Sequence, residues 1–397
     1  MGLPLAGVRV IAVEQYGAGP WGTLYLADLG AEVIKIENLA EGGDFGRTVG
    51  PYYFGAGDSQ FYQTFNRNKQ SIAVDLKHPD GRRVLHDLVR TADGLFDNLR
   101  GDLAAKLGLD YESLKAVNPR IVCAHLSAYG RDGPRAGWPG FDYLMQAEAG
   151  WLSVTGEPDG PPVRAGLSLV DLATGLTCAF ALLAGIIGAR ATGEGRDVDV
   201  SLFDTALHNL NYPGTWYLNG GTVTGRTPRG AHPSLTPSQL YRTSDGWLSI
   251  MCNKEKFWPA LCVALGKPEW ARDPEFASFA DRLRNRDRLT AMLDGVLSTA
   301  TTAEWLERLA GVVPAAPVHD IRAALENRFV KERGGLADYE YPDGRSARMI
   351  ANPIRVGGTA LPRRAAPALG EQTDALLAGL GYSAERIVAL RRDKVVA

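Results

Sequence analysis

The chain has 397 residues, 45% of them hydrophobic and 22% charged, with a formal net charge of −2. That length allows about two or three domains, and the composition is that of an ordinary globular protein. The near-neutral charge argues against a general affinity for nucleic acid or an anionic membrane.

From the N-terminus, β-branched runs alternate with amphipathic ones. "VRVIAVE", "EVIKIE", "SIAVDL", "GLFDNL" and "RIVCAHLS" read as strands, with helices near 20–29, 79–91 and 102–117 between them. Pro79 and Asp80 suit the first turn of the second helix. This alternation predicts an α/β fold, a Rossmann-like and mostly parallel sheet with helices on both faces.

A Gly/Pro-rich passage at 130–140 breaks the rhythm and precedes a helical run at 142–153 and a loop at 155–162. "VRAGLSLV" reads as a short strand running into Asp171 and an apolar run from Leu172 to Gly188. That run is short for a membrane span and predicts a helix buried on all sides. A further strand-then-helix unit follows at 195–210, and turn formers fill 219–238.

Beyond them lie a hairpin with Asp245-Gly246 at its turn, several helices, a capping box Thr301-x-x-Glu304, a β-rich stretch at 337–360 and a closing helix pair.

Cys123, Cys178, Cys252 and Cys262 stand far apart and are expected to be free buried thiols, not a disulfide frame or zinc site. The first residues carry no signal-peptide pattern, and Ala6 replaces the Ser or Thr of a myristoylation site. A cytoplasmic location is expected. No metal spacing such as H-E-x-x-H and no nucleophile elbow occurs.

Two features point to chemistry. Gly17, Gly19 and Gly22 spell G-x-G-x-x-G between a strand and a helix, and Glu37 ends the next strand. That pattern fits a nicotinamide dinucleotide site, other nucleotide sites or plain βαβ packing. Asp171 sits where an apolar strand is expected to meet an apolar helix. It reads as a helix N-cap, or as a carboxylate kept ionised by the helix dipole and able to attack an activated acyl carbon.

The blocks "PLAGVRVIAVEQYGAGPWGTLYLADLGAEVIKIE", "GGDFGR", "NRNKQSIAVDLK", "DNLRGDLAAKLGL", "PGFDYLMQAEAGWLSVTGEPDGPPVRAGLSLVDLATGL" and "TGEGRDVDVSLFDTAL" resemble, in order, the family III (formyl-CoA transferase-like) CoA transferases. The resemblance implies that Asp171 is the catalytic aspartate, forming aspartyl anhydride and aspartyl-CoA intermediates. CoA would then be a substrate, with no permanently bound cofactor and no metal.

The resemblance further places CoA near Gln15, Tyr16, Gly17, Ala18, Asn38, Lys69, Asn98, Arg100 and Lys106. It places the acid near Phe141 and Asp142, with Arg47, Arg226 and His232 as candidates for a distal carboxylate. Asn38 stands where relatives often carry Arg. The resemblance also implies a large Rossmann-like domain over 1–218, a smaller α+β domain over 225–330, a segment over 340–397 returning to the large domain, and two interlocked subunits. The near-neutral charge leads to the expectation of no nucleic-acid or membrane partner.

Related racemases pair a His with an Asp thirty residues on. Here Phe141 takes the His place, and Phe cannot carry a proton, which disfavours that alternative. "RGAHPSLTPSQLY" resembles relatives using dicarboxylic acids of the succinyl, glutaryl, mesaconyl or itaconyl type, and transfer within one molecule is compatible with it. A nicotinamide oxidoreductase and a non-catalytic acyl-CoA-binding protein are the rival classes.

Overall fold

The computed structural model describes residues 2–397. The chain forms two units. The first comprises 1–149, 166–209 and 329–397, and the second 150–165 and 210–328. The second unit therefore takes 150–165 and 210–218 from the stretch expected to be one large domain.

The first unit is built on six strands: β1 (Arg9–Val13), β2 (Glu32–Glu37), β3 (Gln70–Ala73), β4 (Gly94–Asp97), β5 (Val122–Ser127) and β6 (Arg196–Ser201). They pair in the order β3-β2-β1-β4-β5-β6, every pair parallel. This is the order of a doubly wound dinucleotide fold, in which the strand order reverses between β1 and β4.

The helices that matter here are α1 (Ala18–Asp28), α2 (Pro79–Val89), α3 (Asp142–Glu148) and α4 (Leu169–Thr192). Helix α2 starts as its sequence suggests, with Pro79 at the first position. His78 is its cap, accepting from Asp80 N at 3.1 Å.

One face of the sheet packs Ile11, Ile34, Ile72 and Leu95 against Val84, Leu85 and Leu88 of α2 and against Leu377 and Leu390 near the C-terminus, all buried. Each such side chain contributes about 1.5–3 kcal/mol when fully buried. The C-terminal end covers the free edge of β3: Asp75 N donates to Val395 O at 2.9 Å and Ala397 N to Ala73 O at 3.3 Å.

Several local expectations change. "VRAGLSLV" forms no strand, because α4 begins at Leu169 inside it. Helix 102–117 is two short turns, Ala104–Leu107 and Tyr111–Leu114, separated at Gly108 with φ 72°. The run 142–153 likewise divides at Gly150, with φ 88°.

Helix α4 is long and apolar enough to cross a bilayer by length and composition alone. It is not buried on all sides: Gly185 and Leu182 lie against the sheet, whereas Phe180 and Ile187 are 73% and 71% exposed. All four cysteines are free and buried.

The second unit holds a three-stranded antiparallel sheet, with the hairpin Ser238–Arg242 and Trp247–Met251 extended by Ala315–Pro317. The expected hairpin is present with Asp245-Gly246 in its turn, and Thr301 and Glu304 form the capping box. Trp258 and Trp305 fill its core. Of the β-rich stretch at 337–360, only the hairpin Leu336–Glu340 and Ser346–Ile350 is regular, and it belongs to the first unit.

Candidate active site

Reversal of the strand order between β1 and β4 leaves a crevice at their carboxyl ends, and side chains tie the two exits together. Gln15 N donates to Asn98 Oδ1 at 2.9 Å and Asn98 Nδ2 donates to Gln15 O at 2.8 Å. The next residue, Tyr16, has φ 68°, a left-handed conformation that is strained for a bulky side chain. Gly17 then caps α1.

Each glycine of the motif serves a different close approach. A Cβ on Gly17 would lie 3.2 Å from Asp171 Oδ2, one on Gly19 2.8 Å from Asn98 Cβ, and one on Gly22 2.3 Å from the Gly175 carbonyl oxygen. The approach is mutual, since a Cβ on Gly175 would sit 2.2 Å from Ala18 O. The motif thus lets α4 cross α1 at backbone contact, and that crossing delivers Asp171 to the turn.

Asp171 is the third residue of α4, one position short of completing the first turn; Ser168 holds the cap position. The N-cap expectation is therefore corrected. Its own N–H is satisfied by Asp142 Oδ2 at 2.9 Å. Asp142 opens α3, is buried, and takes Gln146 Nε2 on its other oxygen at 2.6 Å.

The Asp171 carboxylate itself accepts no hydrogen bond among the described residues. Burial first, and the Asp142 charge second, push its pKa up from 3.8 to about 7. This reverses the expectation that the helix start would keep it ionised: desolvation outweighs the dipole when no N–H reaches the oxygens.

Asp171 opens on a cavity of about 640 Å³, whose lining includes Gln15, Tyr16, Gly17, Ala18, Phe45, Asn98, Arg100, Phe141 and Asp142. Nine of the anticipated site residues, Asp171 included, therefore converge. One wall is aromatic, with the Tyr16 ring 5.0 Å from Phe61, 5.8 Å from Phe45 and 6.3 Å from Phe141 between centroids.

A second cavity of about 350 Å³ shares Gln15 and Leu99 with the first and is lined by Asn38 and Lys77. Lys77 was missed in the sequence. Its position just past β3 at the carboxyl edge of the sheet was the available signal, and its ammonium has no ion-pair partner among the described residues.

Other anticipated residues do not join them. Lys69 is enclosed, donating to Glu14 Oε1 at 2.7 Å, Pro20 O at 3.0 Å and Asn66 Oδ1 at 3.1 Å. Burial pulls its pKa down to about 8 against the pull of Glu14, so it is a structural cation and faces no ligand. Arg47 is held by Glu37 at 2.6 and 2.8 Å and lies 3.9 Å over the Tyr62 ring. That pairing also occupies Glu37, together with Ser71 at 2.5 Å, so Glu37 is no ribose acceptor.

Lys106 and Arg100 both converge on Asp102 at the surface, at 2.6 and 2.5 Å. Arg226 and His232 belong to the second unit and are not among the residues lining the Asp171 cavity. Arg226 donates to Gly160 O and Pro161 O at 2.5 and 2.8 Å, and His232 Nδ1 accepts from Leu235 N at 3.1 Å. No group of three His, Cys, Asp or Glu that could hold a metal occurs among the described residues.

Below the crevice His125 bridges Asp97 at 2.6 Å and Asp197 at 3.0 Å. Burial opposes its charge, but bonds to Asp197 and Asp97 raise its pKa to about 9. Asp97 in turn takes Leu99 N at 3.2 Å, anchoring the loop between the two cavities.

Residues 5–373 match the model of CoA-transferase family III. The chain is 35% identical to a succinate–glutarate CoA-transferase of Agrobacterium fabrum, over 95% of this chain and 96% of that protein. It is 36% identical to an acetyl-CoA:oxalate CoA-transferase of Acetobacter aceti, covering 94% and 95%. A crystal structure of a CAIB/BAIF family protein from Brucella suis superposes with a TM-score of 0.83 at 34% identity, covering 96% of this chain and all of that one.

Proposed function

The chain belongs to CoA-transferase family III, and on that premise we propose that it moves CoA between short-chain dicarboxylic acids of four or five carbons, with Asp171 as the nucleophile. The observation that carries this reading is the Asp171 carboxylate. It is buried, free of hydrogen bonds, and set at the mouth of a cavity where the sheet order reverses. With a pKa of about 7, about half of it is ionised at neutral pH, and a poorly solvated carboxylate needs no base to act.

An Asp171 oxygen attacks the thioester carbon of the donor acyl-CoA. The C–S bond breaks, giving an aspartyl anhydride and CoA thiolate. The thiolate attacks the aspartyl carbonyl carbon, expelling the donor carboxylate and leaving an aspartyl thioester. The acceptor carboxylate then attacks that thioester, and the returning thiolate attacks the acyl carbon of the new anhydride, freeing Asp171. Aromatic cover from Tyr16, Phe45 and Phe141 supports the exclusion of water that keeps these acyl species from hydrolysis.

Phe141 holds no proton, which supports transfer over racemisation. The larger cavity suits the thioester; the smaller one offers the phosphorylated end of CoA a single cation, Lys77, among the acids Glu41 and Asp75 and the already paired Glu14, Glu37 and Asp44. Relatives acting on succinate and glutarate support the acid class; a panel including oxalate distinguishes it.

The same reading includes an interlocked homodimer, supported by the exposed Phe180 and Ile187, and a cytoplasmic location, supported by the four free thiols. The test incubates the protein with succinyl-CoA or glutaryl-CoA, quenches with hydroxylamine or borohydride, and maps the product by mass spectrometry. Modification of Asp171 is expected; turnover with an unmodified Asp171 would overturn the mechanism.

A further inference from the structure

The stretch "GGDFGR" is one of the blocks that mark the family likeness, and the transfer reading uses only its Phe45. Arg47 of this stretch is accounted for by Glu37. Asp44 is not, and its surroundings are unusual. It is 3% exposed, and one carboxylate oxygen, Oδ1, accepts from Tyr16 N at 2.8 Å and from Gly46 N at 2.7 Å. The other, Oδ2, lies 2.8 Å from Lys35 Nζ, and neither the Lys35 nor the Asp44 side chain reaches solvent.

Lys35 also donates to the Glu14 carbonyl at 2.7 Å. The Glu14 carboxylate is in turn held by Lys69 at 2.7 Å and by Thr23 of α1 at 2.7 Å. The turn from Glu14 to Gly17 is therefore gripped at successive residues by side chains from four different segments: Lys35 and Lys69 at Glu14, Asn98 at Gln15, and Asp44 at Tyr16.

A left-handed Tyr costs of order 1–3 kcal/mol and persists only where its surroundings over-determine it. Tyr16 is that residue, with φ 68°, and Asp44 Oδ1 is the acceptor that fixes its N–H. Relaxing Tyr16 would swing its ring away from Phe45 and Phe141 and turn the Gly17 backbone, which stands against Asp171 Oδ2, out of place.

We propose that Asp44 is a positioning residue for CoA transfer: through the Tyr16 N–H it holds the strained turn that places the Tyr16 ring and the Gly17 backbone around Asp171. Lys35 is its buried counter-ion. Asp44 borders the smaller cavity, but its side chain has no exposed surface; it acts through the turn, and the inference rests on the transfer reading above.

Removing Asp44 alone would strand a buried Lys35 charge, which costs about 3–5 kcal/mol and can abolish folding. The test therefore compares two double variants that both lack the ion pair, Lys35→Met with Asp44→Asn and Lys35→Met with Asp44→Leu. Both lose the Lys35 contacts equally, and Asn and Leu are similar in size. Only Asn offers an oxygen to Tyr16 N.

Three measurements are made on each. Urea midpoints establish that both fold. Amide hydrogen exchange of peptides covering 9–24 reads the turn without any activity. Initial rates of CoA transfer from succinyl-CoA to glutarate give kcat and KM. The Leu variant is expected to exchange faster across Tyr16 and Gly17, and to lose kcat about 100-fold relative to the Asn variant with KM for the CoA ester within a few-fold. A misplacement of about 1 Å costs that much.

Equal exchange and equal kcat in the two folded variants would overturn the proposal. A wild-type protein without any transfer activity would instead overturn the transfer reading, while the exchange comparison would still decide whether Asp44 holds the turn.

Discussion

Replacing Asp171 by Asn keeps the shape of the side chain and removes its charge. In the folded protein the carboxyl has a pKa of about 7, against 3.8 when solvated. The folded state therefore binds more protons than the unfolded chain between those values, and stability falls as pH rises through that window. At ~1.4 kcal/mol per pH unit the full penalty is about 4 kcal/mol, reached only above pH 7. At pH 5 the unfolded carboxyl is mostly ionised and the folded one is not, so less than half of the penalty has accrued.

Asn carries none of this penalty. The gain in stability of Asp171→Asn over wild type is expected to be about 2–3 kcal/mol larger at pH 8 than at pH 5. Urea unfolding of the two proteins at both pH values, followed by tryptophan fluorescence, measures it, because every other titrating group cancels in the difference. The same carboxyl governs chemistry: kcat/KM of the wild type should rise with pH and level off above an apparent pKa of about 7, while the Asn variant forms no covalent intermediate. A wild-type profile already flat from pH 5 upward, with an Asn variant no more favoured at pH 8 than at pH 5, would refute the claim that Asp171 is dry and strained in its charged form.

Two sites on α4 separate packing from propensity. Gly175→Ala puts a methyl 2.2 Å from the Ala18 carbonyl oxygen, backbone that cannot yield; a loss of about 3 kcal/mol or more, with impaired transfer, is expected in a denaturation and rate comparison. Gly188→Ala on the same helix meets nothing within 4 Å and should instead stabilise by up to about 1 kcal/mol, with transfer rates as in the wild type. His125 works in a different pH window from Asp171. Its pKa, raised from 6.5 to about 9, means that its contribution is complete below pH 6.5 and disappears as pH climbs through 9, a loss of about 3 kcal/mol. His125→Gln should flatten that decline in melting temperature between pH 6.5 and 9.5; an unchanged slope would show that the bridge to Asp97 and Asp197 carries no charge.

The elements with strong local signals were legible. Strands β1 to β5 are rich in apolar residues and buried almost throughout because both faces of the sheet are covered, and the hairpin around Asp245-Gly246 and the Thr301 capping box have turn and cap chemistry within a few residues. The short helices at 104–114 and 142–154 were over-extended in the sequence reading. Their breaks fall at Gly108 and Gly150, single residues adopting positive φ, which periodicity does not register. Asp171 does line the larger cavity, but the expectation that the helix start keeps it ionised fails for a physical reason. A helix dipole acts on any residue of the first turn, whereas the absence of hydrogen bonds to its oxygens and the proximity of Asp142, 29 residues away in the chain, are tertiary facts.

Cations show the same division more sharply. Arg47 and Lys77 follow strands at the carboxyl edge, Lys69 directly precedes β3, and nothing in the sequence ranks them. What separates them is the distribution of acids: Glu14 and Glu37 point inward from the ends of β1 and β2, and each buried carboxylate must capture a cation or become neutral. Glu14 takes Lys69 and Glu37 takes Arg47, which leaves Lys77 at the cavity beside Asn38. Which cation in such a crevice stays unclaimed can therefore be told only after every inward carboxylate has been paired. The G-x-G-x-x-G turn follows the same logic. Its glycines are set by what approaches them, Asp171, Asn98 and Gly175. The same spelling that accommodates a pyrophosphate in a dehydrogenase here accommodates a side chain, an amide and a second helix.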